Sequence, residues 1–587
     1  MLAALAAICF VAFFWRLGAC SVFDLDEGLY VAVAREMALS GDYVTPRVNG
    51  RPFYEKPPAA YWSAALSMRF FGRSELAARL PNALAMAALV ALVYLFGVGR
   101  FGRRAAFLAA SFLALSPLVL GAGRQLTMDA QLTLWITVAL LSVQLGQAAF
   151  GVRRAVWHAA FWAACGMAVL TKGVVGAALP CATVAVWLSL RHRRDLARML
   201  TAGTVLRAAG GIALLLLIAA PWHVAAWEAG GGPFVQEYLV RQHLQRFRGG
   251  DVAHLAPFWF FVPGLFLGAI PWSGFLPSAL RWREPGDAEG DGTPLLLTVW
   301  AVLVFLFFSA SGSKLISYIL PLFPAAALLA GRWCDAVLDG KAKVRALVGG
   351  LVAGLIVAAL VLALLVARDP LVAAAQRLSH RPVVIDPDTA AVLAWGVRQS
   401  ALLVVVCGTA AVLAGRGRAG AALGVVVAGM ATFAALAAGD GLHTIDSRLL
   451  RPLHDLSRMA ASRALPHERI IVAVGPPRRP SVLFYLPDRY FTGGLHATET
   501  AAETEVAGLL AGGPALLLIE RARAERLGLL GSPMRAETLG ARGRWMLLRV
   551  TRVAARRARH RASGRPTPVL SPAWRQGGSP RQWRPGE

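Results

Sequence analysis

Two short clusters hold most of the residues able to do chemistry: Asp24-Leu25-Asp26-Glu27 and Tyr54-Glu55-Lys56-Pro57-Pro58. An adjacent acid and base stiffened by prolines suits a phosphate-bearing headgroup, with Lys56 neutralising phosphate and Glu55 left for a cation. Asp26 opens a segment with apolar residues at Tyr30, Val33, Ala34, Met37 and Ala38, one face of a helix ending at Gly41. It reads equally as a reacting carboxylate or as the N-cap of that helix, which would lie on the membrane surface. A third candidate, the turn Gly123 to Ala130, carries Arg124 and Asp129. The fourth, Glu237 to Phe247, sets His243 and Arg246 three apart on one helical face, although His243 alone reads as a solvated interfacial histidine.

The elements that must position these residues are membrane spans. The chain is 57% hydrophobic and 16% charged, against roughly 25% charged in soluble domains. Apolar stretches near 1–19, 81–98, 105–121, 129–149, 157–173, 174–190, 207–227, 257–280, 294–311, 315–331, 346–367, 395–415 and 419–438 give about thirteen spans. The first is expected to be retained, because its first basic residue, Arg16, follows the apolar run instead of preceding it. Basic residues such as Arg100, Arg103, Arg104, Arg153, Arg154, Arg191, Arg281, Arg332, Lys341 and Arg416 gather on alternate connections. With a cytoplasmic N-terminus these all lie inside, and 20–80, 228–256, 368–394 and everything after about 440 lie outside.

A formal charge of +27 raises the question of nucleic acid, but the basic residues are scattered through short connections and a tail. No nucleic-acid partner is expected. The six cysteines sit in or beside apolar runs without metal or disulfide spacing and read as small buried hydrophobes. Acids cluster at span ends and in outer loops, whereas a transport pathway puts ionisable groups in mid-span. The pattern favours an outward-facing enzyme over a transporter. Residues 1–439 form the membrane domain with its reactive loop at 20–80. Strand and helix signals over 440–550 predict a small α/β domain, and 551–587 a basic disordered tail.

The ordered blocks Asp26-Glu27-x-x-Tyr30, Tyr54-Glu55-Lys56-Pro57, Met128-Asp129, Leu170-Thr171-Lys172-Gly173, His243-x-Gln245-Arg246-Phe247 and Ser313-Lys314-x-x-x-Tyr318 resemble the GT-C superfamily of lipid-linked-sugar glycosyltransferases. The nearest groups are the undecaprenyl-phosphate-aminoarabinose lipid A transferases and the related protein mannosyltransferases. The resemblance implies a polytopic α-helical GT-C fold with an extracytoplasmic α/β C-terminal domain, in a bacterial inner membrane and monomeric. It makes Asp26 the principal catalytic acid, with Glu27 beside it and Asp129 the second acid of the site. Lys56 and Arg246 would hold the carrier phosphate, Tyr318 would line the lipid cavity, and Lys172 is either structural or part of that site. A divalent metal, zinc, is implied on Glu55, His243 and His443.

The implied reaction moves a sugar from a polyprenyl-phosphate donor to a glycolipid such as lipid A, or to a protein. A hydroxyl acceptor needs Asp26 as general base. A phosphate acceptor is already anionic and needs only orientation or charge stabilisation. A lipid or solute transporter is the alternative from another class.

Overall fold

The computed structural model describes residues 1–193, 201–245, 256–284, 290–369, 387–465, 468–473, 479–486, 506, 514–530 and 535–551. Arg246 and the expected tail beyond 551 lie outside the described residues, as does the side chain of His243. The chain divides into two compact units, Met1–Arg451 and Pro452–Glu587.

The first unit is a bundle of apolar helices. Among the described residues, 8 are long and apolar enough to cross a membrane, or up to 10 if each of two bent pairs is one span. The bent pairs, Arg103–Leu115 with Pro117–Gly123 and Phe258–Gly268 with Trp272–Arg281, correspond to the spans expected near 105–121 and 257–280. The segments expected at 1–19 and 174–190 are shorter helices, Leu2–Phe14 and Val175–Arg191. Gly151–Lys172 covers the span expected at 157–173. The molecule is therefore a multi-pass membrane protein whose broken spans lower the count of uninterrupted helices below the thirteen read from hydropathy. At the end expected to face inward, Arg100 comes from one basic connection and Arg332 and Lys341 from another. They line one cleft of about 500 Å³ with Glu284, Asp291, Asp335 and Asp339.

At the other end, the reactive loop is built from local signals that the chain states plainly. The predicted helix spans Asp26–Ser40 and stops at Gly41, whose φ of 71° lies in the left-handed region. Its cap, however, is Leu25 with no side-chain cap bond, so Asp26 is the first helical residue and does not cap it. Nor is the helix laid on the surface: besides Tyr30, Val33, Ala34 and Met37, it buries Val31, Ala32 and Arg35. The turn Asn49-Gly50 has φ of 54° and 72° at its two residues, the geometry that joins two strands in a tight hairpin. It connects β1 (Arg47–Val48) to β2 (Arg51–Pro52). The Glu36 carboxylate accepts from the amides of both turn residues, fastening the hairpin to the helix.

What locks this loop to the bundle is one buried ion pair. Glu27 and Arg79 have side chains only 1% and 2% exposed. Arg79 lies in the helix Glu75–Phe101, whose start is fixed by Ser74 accepting from the Ala77 amide at 3.2 Å. Its guanidinium donates to both Glu27 oxygens at 2.7 and 2.9 Å, and to the carbonyls of Leu17, Cys20 and Ser21. Glu27 also accepts from the amides of Phe23 at 2.8 Å and Leu126 at 3.2 Å. A carboxylate offers about four lone-pair sites, and here each is taken. Glu27, expected in the catalytic set, is therefore fully engaged as an anchor between the loop and the bundle.

The first unit also extends past the boundary expected at 439. Residues Ala437–Leu450 stay helical, and buried Asp446 accepts from the Ser21 amide at 2.9 Å, which ties this segment to the start of the reactive loop.

The second unit holds the predicted α/β domain as a four-stranded sheet. Its strands are β3 (Arg469–Ala473), β4 (Ala515–Glu520), β5 (Arg535–Arg542) and β6 (Trp545–Thr551), in the order β3-β4-β6-β5. Only the β3–β4 pair is parallel. Alternation sends Ile470, Val472, Leu516, Leu518 and Leu547 to one face with Leu453 and Leu456. Ile471, Leu517, Ile519 and Leu548 pack on the other with Ala524 and Leu529.

Removing one partner of a buried pair leaves a desolvated charge and costs about 3–5 kcal/mol. Glu27→Gln and Arg79→Met should each lower the unfolding temperature of the detergent-purified protein by several degrees. An unchanged unfolding temperature in both would contradict the anchoring role.

Candidate active site

Four polypeptide segments bring the remaining candidates together. Glu55, Lys56 and Pro57 from the loop, Lys172 and Val175 from the break between two helices, Gln242 from the helix Val235–Gln245, and Phe307 to Tyr318 line a cavity of about 120 Å³. The Lys56 ammonium donates to Gln242 Oε1 at 3.2 Å and to the Glu55 carbonyl at 3.1 Å. The Gln242 amide in turn donates to Glu237 at 3.0 Å, and Arg241 pairs with the same carboxylate at 3.2 Å. Lys56 is thus held at the cavity wall with its charge directed to a concave, partly apolar space.

Asp129, at the start of the helix Met128–Gln147, is ion-paired with Lys172. It also accepts from Ser317 Oγ at 2.8 Å. The Lys172 ammonium stands 4.0 Å from the centroid of the Tyr318 ring, within range of a cation–π contact. The two readings left open for Lys172 therefore coincide: it binds Asp129 and it lines the cavity. The turn that presents Asp129 is fixed from behind. Asn82 donates to the carbonyls of Gln125 at 2.7 Å and Thr127 at 2.9 Å, and Gln131 donates to Asn82 and Ser63.

Asp26 stands apart from these pairs. It is exposed, and it has no hydrogen-bond or ion-pair partner among the described residues. Its neighbours show where it sits. Burial pushes the Tyr30 hydroxyl well above its usual range, and the charges of Asp26, Tyr61, Glu55 and Asp129 push it further in the same direction. Burial likewise raises Tyr61, aided by Glu55 and Asp26. The three acids therefore converge on one pair of buried phenols, whose ring centroids lie 5.9 Å apart. A neutral phenol beside carboxylates can donate a hydrogen bond and will not compete for the proton.

Sequence reasoning missed Ser317, Gln242 and buried Lys314, which donates to the Ser311 carbonyl at 2.5 Å at the cavity rim. The block Ser313-Lys314-x-x-x-Tyr318 carried the signal for Lys314 alone. Of the three residues expected to hold a metal, Glu55 reaches the cavity and His443 is exposed elsewhere in the first unit. Among the described residues no three His, Cys, Asp or Glu side chains gather to hold a metal ion. With the His243 side chain outside the described residues, no step below runs through a metal.

A helical bundle with an acid-bearing loop and a cavity lined by two lysines is similar to the fold of the GT-C superfamily, and comparison with known proteins bears this out. The dolichyl-phosphate-mannose-protein mannosyltransferase family matches residues 55–224. The undecaprenyl phosphate-alpha-4-amino-4-deoxy-L-arabinose arabinosyl transferase of Aeromonas salmonicida is 35% identical over 323 residues, 54% of this chain and 57% of the relative. The Edwardsiella ictaluri enzyme of that name is 36% identical over 313 residues, 52% and 54% of the two chains. The chain thus spans little more than half the length of these relatives.

The crystal structure of ArnT from Cupriavidus metallidurans bound to undecaprenyl phosphate superposes with a TM-score of 0.75 at 26% identity, covering 94% of this chain and 98% of that one. An archaeal oligosaccharyltransferase from Archaeoglobus fulgidus shares the fold, at a TM-score of 0.50, 13% identity and 89% and 69% coverage.

The Asp129–Lys172 pair predicts a non-additive double-mutant cycle. Asp129→Asn and Lys172→Met each strand a largely buried charge, whereas the double variant removes both. Their combined effect on unfolding free energy should fall short of the sum by about 1 kcal/mol or more. Strict additivity would mean the two side chains are not coupled.

Proposed function

We propose that this protein is a glycosyltransferase that moves a sugar from a polyprenyl-phosphate carrier to an extracytoplasmic glycolipid of the lipid A type. The observation that carries the reading is the cavity where Lys56, Lys172 and Tyr318 meet Glu55 beside an unpartnered Asp26. The likeness to the aminoarabinose transferases and to ArnT supports the same donor class.

In this reading the carrier phosphate enters the cavity beside Lys56, with Lys172 poised behind it. The acceptor oxygen attacks the anomeric carbon as the bond from that carbon to the phosphate oxygen breaks, and the bonding electrons leave with the phosphate. Fixed cations that meet charge as it develops stabilise the transition state without reorganisation. Lys56 has that position, with Glu237 and Gln242 holding its amine in place. A hydroxyl acceptor passes its proton to Asp26, whose carboxylate is not engaged by any cation among the described residues. An acceptor phosphate arrives without a proton, and Asp26 then stabilises positive charge on the sugar ring. The buried phenols of Tyr30 and Tyr61 stay protonated beside it in both cases.

The donor chemistry and the basic connections support a site facing the periplasm in a bacterial inner membrane, with the N-terminus cytoplasmic. Arg246 is retained as a proposed phosphate contact on the strength of the motif His243-x-Gln245-Arg246-Phe247 alone. A protein acceptor would use the same donor half-site.

Asp26→Asn should abolish sugar transfer in membranes, by at least about a hundredfold for loss of a general base, while donor-lipid binding and expression stay near wild type. Retained transfer would remove Asp26 from its role. Lys56→Ala should instead weaken donor binding.

A further inference from the structure

The helix that carries Gln242 to the cavity does not run straight out of its membrane span. The span Ala202–Phe234 breaks at Gly231, whose φ of 54° and ψ of −136° are not helical, and Pro233 follows close behind. Beyond the break the chain winds as the π-helix Val235–Gln245, which bears both Glu237 and Gln242. Glycine and proline account for the kink, but a kink alone does not fix the direction of the segment that leaves it. Side chains must do that.

One side-chain hydrogen bond spans the break. The Tyr238 hydroxyl and Nε2 of His223, 15 positions apart, lie 2.9 Å from each other. Nδ1 of the same ring is 2.8 Å from the Ala219 carbonyl, which can only accept, so Nδ1 carries the hydrogen. The neutral ring then accepts at Nε2, and the phenol donates to it. Tyr238 is only 1% exposed, and a phenol buried that deeply needs such a partner.

Around this bond the rings interlock. Phe234 stacks on Tyr238 with centroids 5.2 Å apart, and Tyr54 meets Phe234 edge-on at 5.3 Å. Trp222, beside His223, donates to the Val44 carbonyl at 3.0 Å. Gly230 makes room for Tyr54, since a Cβ there would lie 2.6 Å from the phenol oxygen. Tyr54 leads directly into Glu55-Lys56, and Tyr238 shares its helix with Gln242. Both partners of the Lys56–Gln242 hydrogen bond therefore come from segments packed into one aromatic cluster.

We infer that His223 and Tyr238 are positioning residues for the carrier-phosphate site: their hydrogen bond sets the direction of the π-helix and so holds Gln242 against the Lys56 ammonium. The inference rests on the reading of Lys56 as the phosphate contact. Neither His223 nor Tyr238 lines the cavity, and each acts through Gln242.

Binding of undecaprenyl phosphate to the full-length protein in detergent, read by native mass spectrometry, tests it together with donor KM and kcat. Tyr238→Phe and His223→Leu should each weaken binding about fivefold, the effect of losing one neutral hydrogen bond. Donor KM should rise by a similar factor while kcat stays near wild type. His223→Gln, which offers an amide acceptor in place of Nε2, should recover most of the binding that His223→Leu loses. With Gln242→Ala already in place, Tyr238→Phe should weaken binding no further. The inference is overturned if Tyr238→Phe and His223→Leu bind as wild type does while Lys56→Ala binds weakly. It is equally overturned if Tyr238→Phe acts with full force in the Gln242→Ala background. Unchanged binding in Lys56→Ala would instead remove the phosphate reading, and this positioning role with it.

Discussion

The buried Glu27–Arg79 pair is the constraint on which the reactive end of this molecule depends. One guanidinium closes the end of the first helix through Leu17, Cys20 and Ser21, and one carboxylate gathers the amides of Phe23 and Leu126. Four separate stretches are thereby fixed to a single point. A buried ion pair is poor evidence for added stability because desolvation offsets most of the attraction. Its value here is geometric: with every donor and acceptor used, only one arrangement of these stretches satisfies both charges.

That arrangement divides labour among neighbouring acids. Asp26 and Glu27 are adjacent in sequence, yet a helix turns successive side chains by about 100°. Glu27 points to the guanidinium and Asp26 is exposed to the open side of the loop. Asp129 takes a third environment, paired with Lys172 and hydrogen-bonded by Ser317. Asp26, Glu27 and Asp129 thus have three different degrees of engagement, and the proposed reacting group is the one without a partner among the described residues.

Much of this organisation was legible from residues alone, wherever the cause is local. The Asp26–Ser40 helix with its glycine stop, the Asn49-Gly50 turn and strands β3, β4 and β6 follow from periodicity and turn chemistry over a few residues. Strand β5, Arg-Ala-Glu-Thr-Leu-Gly-Ala-Arg, is polar and interrupted by a bulge, so its pairing with β6 leaves no such pattern.

The anchoring contacts of Glu27 were not legible for a different reason. Its partner lies 52 positions away, and nothing within the Asp-Glu pair says which acid will meet an arginine. The Asp129–Ser317 contact, 188 positions apart, is likewise a product of the fold. The late domain boundary has the same origin, because Asp446 reaches back across 425 positions to Ser21. Motif resemblance supplied Lys172 and Tyr318 as site residues, and the structure supplied the reason they belong together: an ammonium shared between a carboxylate and an aromatic face.

The central claim is that this loop performs chemistry on a lipid-linked sugar. The most direct test is mass spectrometry of both lipids after purified protein is incubated with a polyprenyl-phosphate-linked amino sugar and lipid A. The account predicts lipid A heavier by one sugar residue, with free polyprenyl phosphate released in equal amount. An intact donor, unchanged in mass or merely moved across a proteoliposome membrane, would contradict it.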